Sequence, residues 1–192
     1  MRTDTKADIQ AAHRAVRVGA RRDKVIVQPA EPRDADGIAA LLQEFAKSGL
    51  VIPRRPAEVR AHLDEFVVVR DTGGWVTACG AYAPVLPGLG EIRSVAVSDF
   101  DTGRGSGKRI VDRLIADAKA DGCRRLALLT RAPRFFESAG FRALPIDRMP
   151  TEFIQKVVLD RGRSLEGRTT MLLNLDTDVD LEPATGPAPR TL

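Results

Sequence analysis

The run Val95-Ala-Val-Ser-Asp-Phe-Asp-Thr-Gly-Arg-Gly-Ser-Gly-Lys108 constrains the fold more than any other segment of the chain. Strand-forming apolar residues lead into a turn with glycines at 103, 105 and 107, and a helical apolar stripe follows. Glycines let successive backbone N–H groups converge, and a helix N-terminus adds partial positive charge. The segment therefore predicts an anion cradle between a strand and a helix; a merely flexible linker before the helix is the plainer alternative. Two nucleotide-binding readings fail on spacing. A Walker A loop needs glycine where Thr102 stands and Ser or Thr where Arg109 stands, and the Rossmann fingerprint counted from Gly105 needs glycine where Ile110 stands.

The rest of the chain narrows the class. With 192 residues, 43% hydrophobic and 29% charged, it is long enough for one well-packed globular domain and ordinary in composition. Residues 1–24 are polar, without a core-forming period, and read as a basic N-terminal arm; residues 177–192, with three prolines, read as a tail. The working domain is expected over 25–176. No run approaches the ~18 apolar residues of a membrane span, and the N-terminus has no apolar segment of a secretory signal. It is Arg- and Ala-rich like a transit peptide, but Asp4, Asp8 and Asp23 oppose that reading, so a cytoplasmic location is expected. Cys79 and Cys123 are too few for a disulfide framework, and with only His13 and His62 beside them no zinc site is expected. A net charge of +4 suits acidic small molecules, while one Trp and one Tyr leave no stacking platform for nucleic acid.

Hydrophobic periodicity lays out the elements. Residues 24–28 read as a short strand, and Asp34 or Asp36 as the N-cap of a helix carrying Ile38, Leu41, Leu42 and Phe45, stopped at Gly49. Pro56 opens a second helix whose face continues through Val59, Leu63 and Phe66. Phe66–Arg70 and Trp75–Val85 flank the turn Asp71-Thr-Gly-Gly74 as a hairpin, and Glu91–Val97 follows as a further strand. A helix over 107–121, a strand over 125–130, short helices over 132–139 and 151–160, and a last strand over 169–175 complete a mixed α/β sheet flanked by helices.

Thr102-Gly-Arg-Gly-Ser-Gly107 resembles the acyl-CoA loop of the GNAT N-acetyltransferase superfamily, Q/R-x-x-G-x-G/A, with Thr102 in place of Gln or Arg. Downstream, Phe135-Phe-Glu-Ser-Ala-Gly-Phe141 resembles the family's F-[YF]-x-x-x-G-F segment. A narrower resemblance, to the acetyltransferase domain of bacterial N-acetylglutamate synthases, rests on Leu50-Val-Ile-Pro-Arg-Arg55, Gly90-Glu-Ile-Arg-Ser-Val-Ala-Val97, Leu128-Leu-Thr-Arg131, Pro145-Ile-Asp-Arg-Met-Pro150 and Thr170-Met-Leu-Leu-Asn174. It implies a three-layer α/β (α+β) fold with a mixed, mostly antiparallel central sheet, acyl-CoA bound at splayed central strands, acetyl-CoA as donor, L-glutamate as acceptor and no metal. A homodimer is a further expectation. The kinase-like arginine-binding domain carried by many such synthases has no counterpart here, so a stand-alone form is expected.

The same resemblance assigns residues. Val95 and Val97 would pair with the pantetheine arm, Thr102, Gly103, Arg104, Gly105, Ser106, Gly107 and Lys108 would hold the pyrophosphate, and Phe136 would lie against the cofactor. Glu91 is the expected general base through a water, and Thr130 an expected donor to the thiolate, because Phe136 has no hydroxyl where many relatives carry Tyr. Arg54, with Arg55 as fallback, and Arg168 would bind the two glutamate carboxylates through their forked guanidinium groups, with Arg131 and Ser94 nearby. Neither cysteine has a neighbouring His, so no cysteine nucleophile is expected. Two alternatives stay open: another amino acid, amine or protein N-terminus as acceptor, and a non-catalytic CoA-binding regulatory module.

Overall fold

A computed structural model describes residues 25–176. The expected arm and tail, 1–24 and 177–192, lie outside the described residues. Strand β1 (Val27–Pro29) is followed by helices α1 (Ala35–Ala46) and α2 (Pro56–Arg60), then β2 (Phe66–Arg70), β3 (Val76–Leu86) and β4 (Leu89–Val97). Next come α3 (Ser106–Ala120), β5 (Arg125–Thr130), α4 (Pro133–Glu137), β6 (Arg142–Ala143), α5 (Thr151–Phe153) and β7 (Thr169–Asn174). The seven strands form one sheet in the order β1-β2-β3-β4-β5-β7-β6. Every neighbouring pair is antiparallel except β4 and β5, which are parallel and joined over one face by α3.

The alternation of strand side chains explains the layers. Val67 and Val69 join Leu126, Leu128 and Met171 on the face packed by Ile110, Val111 and Leu114 of α3. Phe66 and Val68 point the other way, onto Ile38 and Leu42 of α1 and Val59 of α2. Farther along that second face, Ala127 and Leu172 meet Phe153, Val157 and Val158. Sheet β2 is buried on both sides, which is why it reads as the unbroken apolar run FVVV.

Several boundaries differ from the sequence expectation for identifiable reasons. The second helix stops at Arg60, and Phe66 belongs to β2 rather than to a continued helical face. Pro87 and Gly88, not the whole 87–90 stretch, make the β3–β4 turn, since Leu89 already pairs with Leu86. The helix expected over 151–160 makes one α turn and then widens into a π-helix over Ile154–Leu159, with the Asp160 N–H bonded to the Gln155 carbonyl at 2.9 Å. A Gln155 side-chain bond to Asp160 at 2.7 Å spans the same turn. Asp34 stands at the α1 N-cap, but its carboxylate accepts from the Glu31 N–H and from Arg70 at 2.8 and 2.5 Å, tying the helix start to β2.

Two features of the sheet open a site. Strands β4 and β5 pair only at Leu89–Arg125, Gly90–Leu126 and Glu91–Ala127, then part. Between the pairs Cys79–Ala96 and Ala81–Arg93, β4 carries two residues opposite Gly80 alone, a β-bulge at Ser94 and Val95. Ser94 takes φ +57°, the only non-glycine residue with positive φ among the described residues. Gly80 is required opposite the bulge: a Cβ there would lie 2.6 Å from Ile110 Cγ2 and 3.0 Å from Leu114 Cδ1.

Candidate active site

Where β4 and β5 diverge, a cleft enters the sheet. Its walls are Leu50, Val51, Ile52 and Arg54 from the α1–α2 connection, Ile92 to Val95 of β4, Leu128 to Thr130 of β5, Phe136 of α4, and Arg163 and Arg168 from the segment before β7. Beyond Glu91 the β4 edge that faces β5 has no strand partner among the described residues, so its peptide groups can pair with an extended ligand.

At the far end of β4 stands the glycine loop. Gly103 and Gly105 have φ of +80° and +83°, and a Cβ at either would meet nothing within 4 Å, so conformation rather than crowding calls for glycine there. Gly107 answers to close packing, since its Cβ would lie 3.2 Å from both Val97 and the Phe135 ring. Among the described residues no side chain caps α3, whose first-turn N–H groups have no intrahelical acceptor, and the buried Ser106 hydroxyl has no hydrogen-bond partner. These donors, on a fifteen-residue helix, fit the phosphate groups of an acyl carrier. The loop side chains are occupied elsewhere: Thr102 donates to the Ser98 carbonyl at 3.2 Å, Arg104 pairs with Asp101 at 3.4 Å, and Lys108 pairs with Asp112 at 2.7 Å.

The cationic side of the cleft is built differently. Arg54 is half-buried and makes no hydrogen bond or ion pair among the described residues, with its Nε buried and unpartnered. Burial, joined by the charges of Arg93 and Arg163, holds its pKa below the usual guanidinium value, while Glu91 and Glu65 act the other way. Arg168 also lines the cleft and donates to the Gly49 carbonyl at 3.3 Å; burial, then the charge of Arg131, lowers its pKa. Thr130 is buried, and its Oγ1 accepts from the Ala132 N–H at 2.9 Å, leaving the hydroxyl proton unassigned. Phe136 is buried edge-on between Phe135 and Phe141.

Three expected residues stand elsewhere. Arg55 is at the surface, paired with Glu58 at 3.4 Å in a box around the start of α2, and the cleft walls do not include it. Arg131 is exposed and donates to the Glu166 carbonyl at 3.2 Å. Glu91 is fully buried behind the wall, with one carboxylate oxygen accepting from Arg163 at 2.6 Å and the other from Arg161 at 2.9 Å. The structure thus places Glu91 within a cluster of guanidinium groups, where the sequence expectation had a strand-end carboxylate facing a water. Arg93, buried and ion-paired with Glu65, and Arg163 are site residues that sequence reasoning did not find. Arg93 does lie inside the quoted β4 segment; Arg163 follows a helix whose length and type had to be seen first. Burial pushes the Cys79 thiol up to about 12, which agrees with the absence of a cysteine nucleophile from the expected chemistry.

A free strand edge running from a cationic cleft to an anion cradle aligns an extended, phosphate-bearing acyl carrier with an acceptor, and this defines an acyl-transferring α/β domain. The Acetyltransferase (GNAT) family model matches residues 38–141, and the chain belongs to that family. It is 34% identical over 118 residues to an amino-acid acetyltransferase of Mycobacterium tuberculosis, covering 60% of this chain and 67% of the relative. A Mycobacterium tuberculosis protein solved in complex with CoA superposes with a TM-score of 0.70 at 28% identity, over 78% of this chain and 99% of that one. The N-acetylglutamate synthase of Neisseria gonorrhoeae, complexed with coenzyme A and N-acetyl-glutamate, gives a TM-score of 0.70 at 25% identity over 82% of this chain, which spans only 36% of that protein.

Proposed function

We propose that this acetyltransferase moves the acetyl group of acetyl-CoA to the α-amino group of L-glutamate by direct attack, without a covalent enzyme intermediate. The observation that carries the reading is Arg54, a half-buried guanidinium that makes no hydrogen bond or ion pair among the described residues, in a cleft that Arg168 also lines. Two guanidinium groups lining one cleft suit an acceptor with two carboxylates. The amino-acid acetyltransferase and N-acetylglutamate synthase relatives support the same acceptor class.

In this reading the donor supplies a thioester carbonyl as electrophile. The N-terminal turn of α3 and the loop at 103–107 bind its pyrophosphate, and the free edge of β4 at Val95 and Val97 orients its pantetheine arm. Arg54 and Arg168 fix the acceptor by its carboxylates, so the amine is presented at the point where β4 and β5 part. The surplus of positive charge in the cleft disfavours the ammonium form of the acceptor and favours the neutral amine that attacks, with its proton leaving to water. Thr130, whose hydroxyl proton is not committed to another group among the described residues, would donate a hydrogen bond toward the departing sulfur.

Initial rates of CoA release with L-glutamate, L-glutamine, L-aspartate and no acceptor, between pH 7 and 9 and with mass spectrometry of the product, test this. Saturable N-acetylglutamate formation with preference over aspartate is expected; acetyl-CoA binding without acetylation of any of the three would overturn the acceptor assignment.

A further inference from the structure

Two stretches of the cleft wall are held by no strand ladder. The α1–α2 connection, 47–55, brings Leu50, Val51, Ile52 and Arg54, and the segment 160–168 brings Arg163 and Arg168. Each bonds its backbone to residues nearby in the chain: the Gly49 N–H to the Ala46 carbonyl at 2.9 Å, Leu50 to Phe45 at 3.2 Å, Arg163 to Val158 at 2.8 Å and Arg168 to Leu165 at 2.9 Å. No backbone hydrogen bond joins one stretch to the other among the described residues. Arg131, the residue after β5, stands where they meet. A Cβ at Gly49 would lie 3.3 Å from its Nη1 and 3.5 Å from its Cζ, and a Cβ at Gly167 would lie 3.5 Å from the same Cζ. Both glycines have positive φ, +70° and +64°, so each stretch turns at the point of contact and presents bare backbone to the guanidinium. The Arg131 Nη2 donates to the Glu166 carbonyl at 3.2 Å, and Arg168 donates across to the Gly49 carbonyl at 3.3 Å. Arg131 itself does not line the cleft.

We propose that Arg131 is a positioning residue: from the end of β5 it ties the two stretches together and so sets the separation between Arg54 and Arg168 that an acceptor has to match. Its bearing on catalysis rests on the acceptor reading above, whereas the tie itself does not. A planar guanidinium lies against two backbones at once and still donates from its edge, which the point charge of a lysine does not reproduce. Strand β5 supplies the fixed base, since it pairs along its whole length with β7, and wall residues carried on loops need such support to be held precisely. Without Arg131, the Arg168–Gly49 bond is left to hold both stretches, and a displacement of about 1 Å at the reacting groups costs roughly 100-fold in rate.

Amide hydrogen exchange, followed residue by residue in the full chain, in Arg131→Ala and in Arg131→Lys, reads the tie without any acceptor. The bonded amides of Gly49 and Leu50 and those of Arg163 and Arg168 are expected to lose protection together, by roughly 5- to 20-fold in Arg131→Ala, with Arg131→Lys close behind. Helix α3 and strand β2 should exchange as before, and the melting temperature should move by no more than about 2 °C. Initial rates supply the second arm. The kcat/KM values for L-glutamate and for L-glutamine, which has one carboxylate fewer, should fall by the same factor, roughly 10- to 100-fold, with the acetyl-CoA KM within about threefold. Where glutamine turns over too slowly, its inhibition constant against glutamate replaces the rate. Protection lost in neither stretch, in one only, or evenly through the chain overturns the proposal, as does full protection restored by lysine. A loss confined to one of the two acceptors would make Arg131 a carboxylate ligand and overturn its positioning role, and no loss on either would overturn it as well. If the unsubstituted chain acetylates neither amine, the glutamate reading fails alone, and the exchange measurement still decides the tie.

Discussion

In the proposed reading, the donor side and the acceptor side of this cleft are built on opposite plans. The donor side is local and made of backbone: Gly103, Gly105 and the first turn of α3 lie within a few residues, and their side chains are absent or engaged with neighbours such as Asp112. The acceptor side is made of side chains from distant segments: Arg54 before α2, Arg93 in β4, and Arg163 and Arg168 before β7. A common carrier needs only peptide N–H groups and a helix dipole, which any sequence with the right turn supplies. Selecting one acceptor needs charges at set separations, and those come from elements that meet only after folding.

The sharpest way to break this comparison is Arg54→Ala. It should lower kcat/KM for glutamate by about 2–4 kcal/mol, roughly 30- to 1,000-fold, with the acetyl-CoA KM unchanged. A parallel rise in the acetyl-CoA KM would show that the two sides are not separate. Gly105→Val is the counterpart on the donor side. A β-branched residue at φ +83° costs about 1–3 kcal/mol, so the acetyl-CoA KM should rise roughly 5- to 100-fold while glutamate selectivity over glutamine holds.

Gly80→Val tests the frame that both sides share. Its Cβ would press into Ile110 and Leu114 of α3, so thermal unfolding should report a loss of about 1–3 kcal/mol, and kinetics should show both KM values disturbed together. A melting temperature equal to that of the unsubstituted chain would mean that α3 can shift without moving the bulge. The smallest effect is expected for Lys108→Ala. Lys108 is 62% exposed and already paired with Asp112, so acetyl-CoA binding should change by no more than about 0.5–1 kcal/mol. A tenfold loss in a direct titration with CoA would show that a side chain, and not the backbone alone, holds the donor.

Much of the frame was legible in the residues. The strand Arg125–Thr130, the helix after the glycine loop and the hairpin around Asp71–Gly74 fell where periodicity and turn chemistry put them, because each depends on neighbours in the chain. Strand β6, two residues long, has no period to read and exists only because β7 supplies its partner. The π-helical stretch also escaped, since apolar spacing at 154–159 does not distinguish i+4 from i+5 hydrogen bonding.

The site divides along the same line. Sequence by itself determined the glycine turn between a strand and a helix, because it is made from contiguous backbone. It also singled out Arg54, Ser94, Thr130, Phe136 and Arg168, all of which stand in the cleft wall. Only the tertiary structure decided that Arg55 faces solvent one residue away from Arg54, and that Glu91 is clasped by Arg161 and Arg163, 70 and 72 positions along the chain. The reason is physical: backbone geometry follows from near neighbours, whereas the state of a buried charge is set by whichever opposite charges the fold brings within hydrogen-bonding distance.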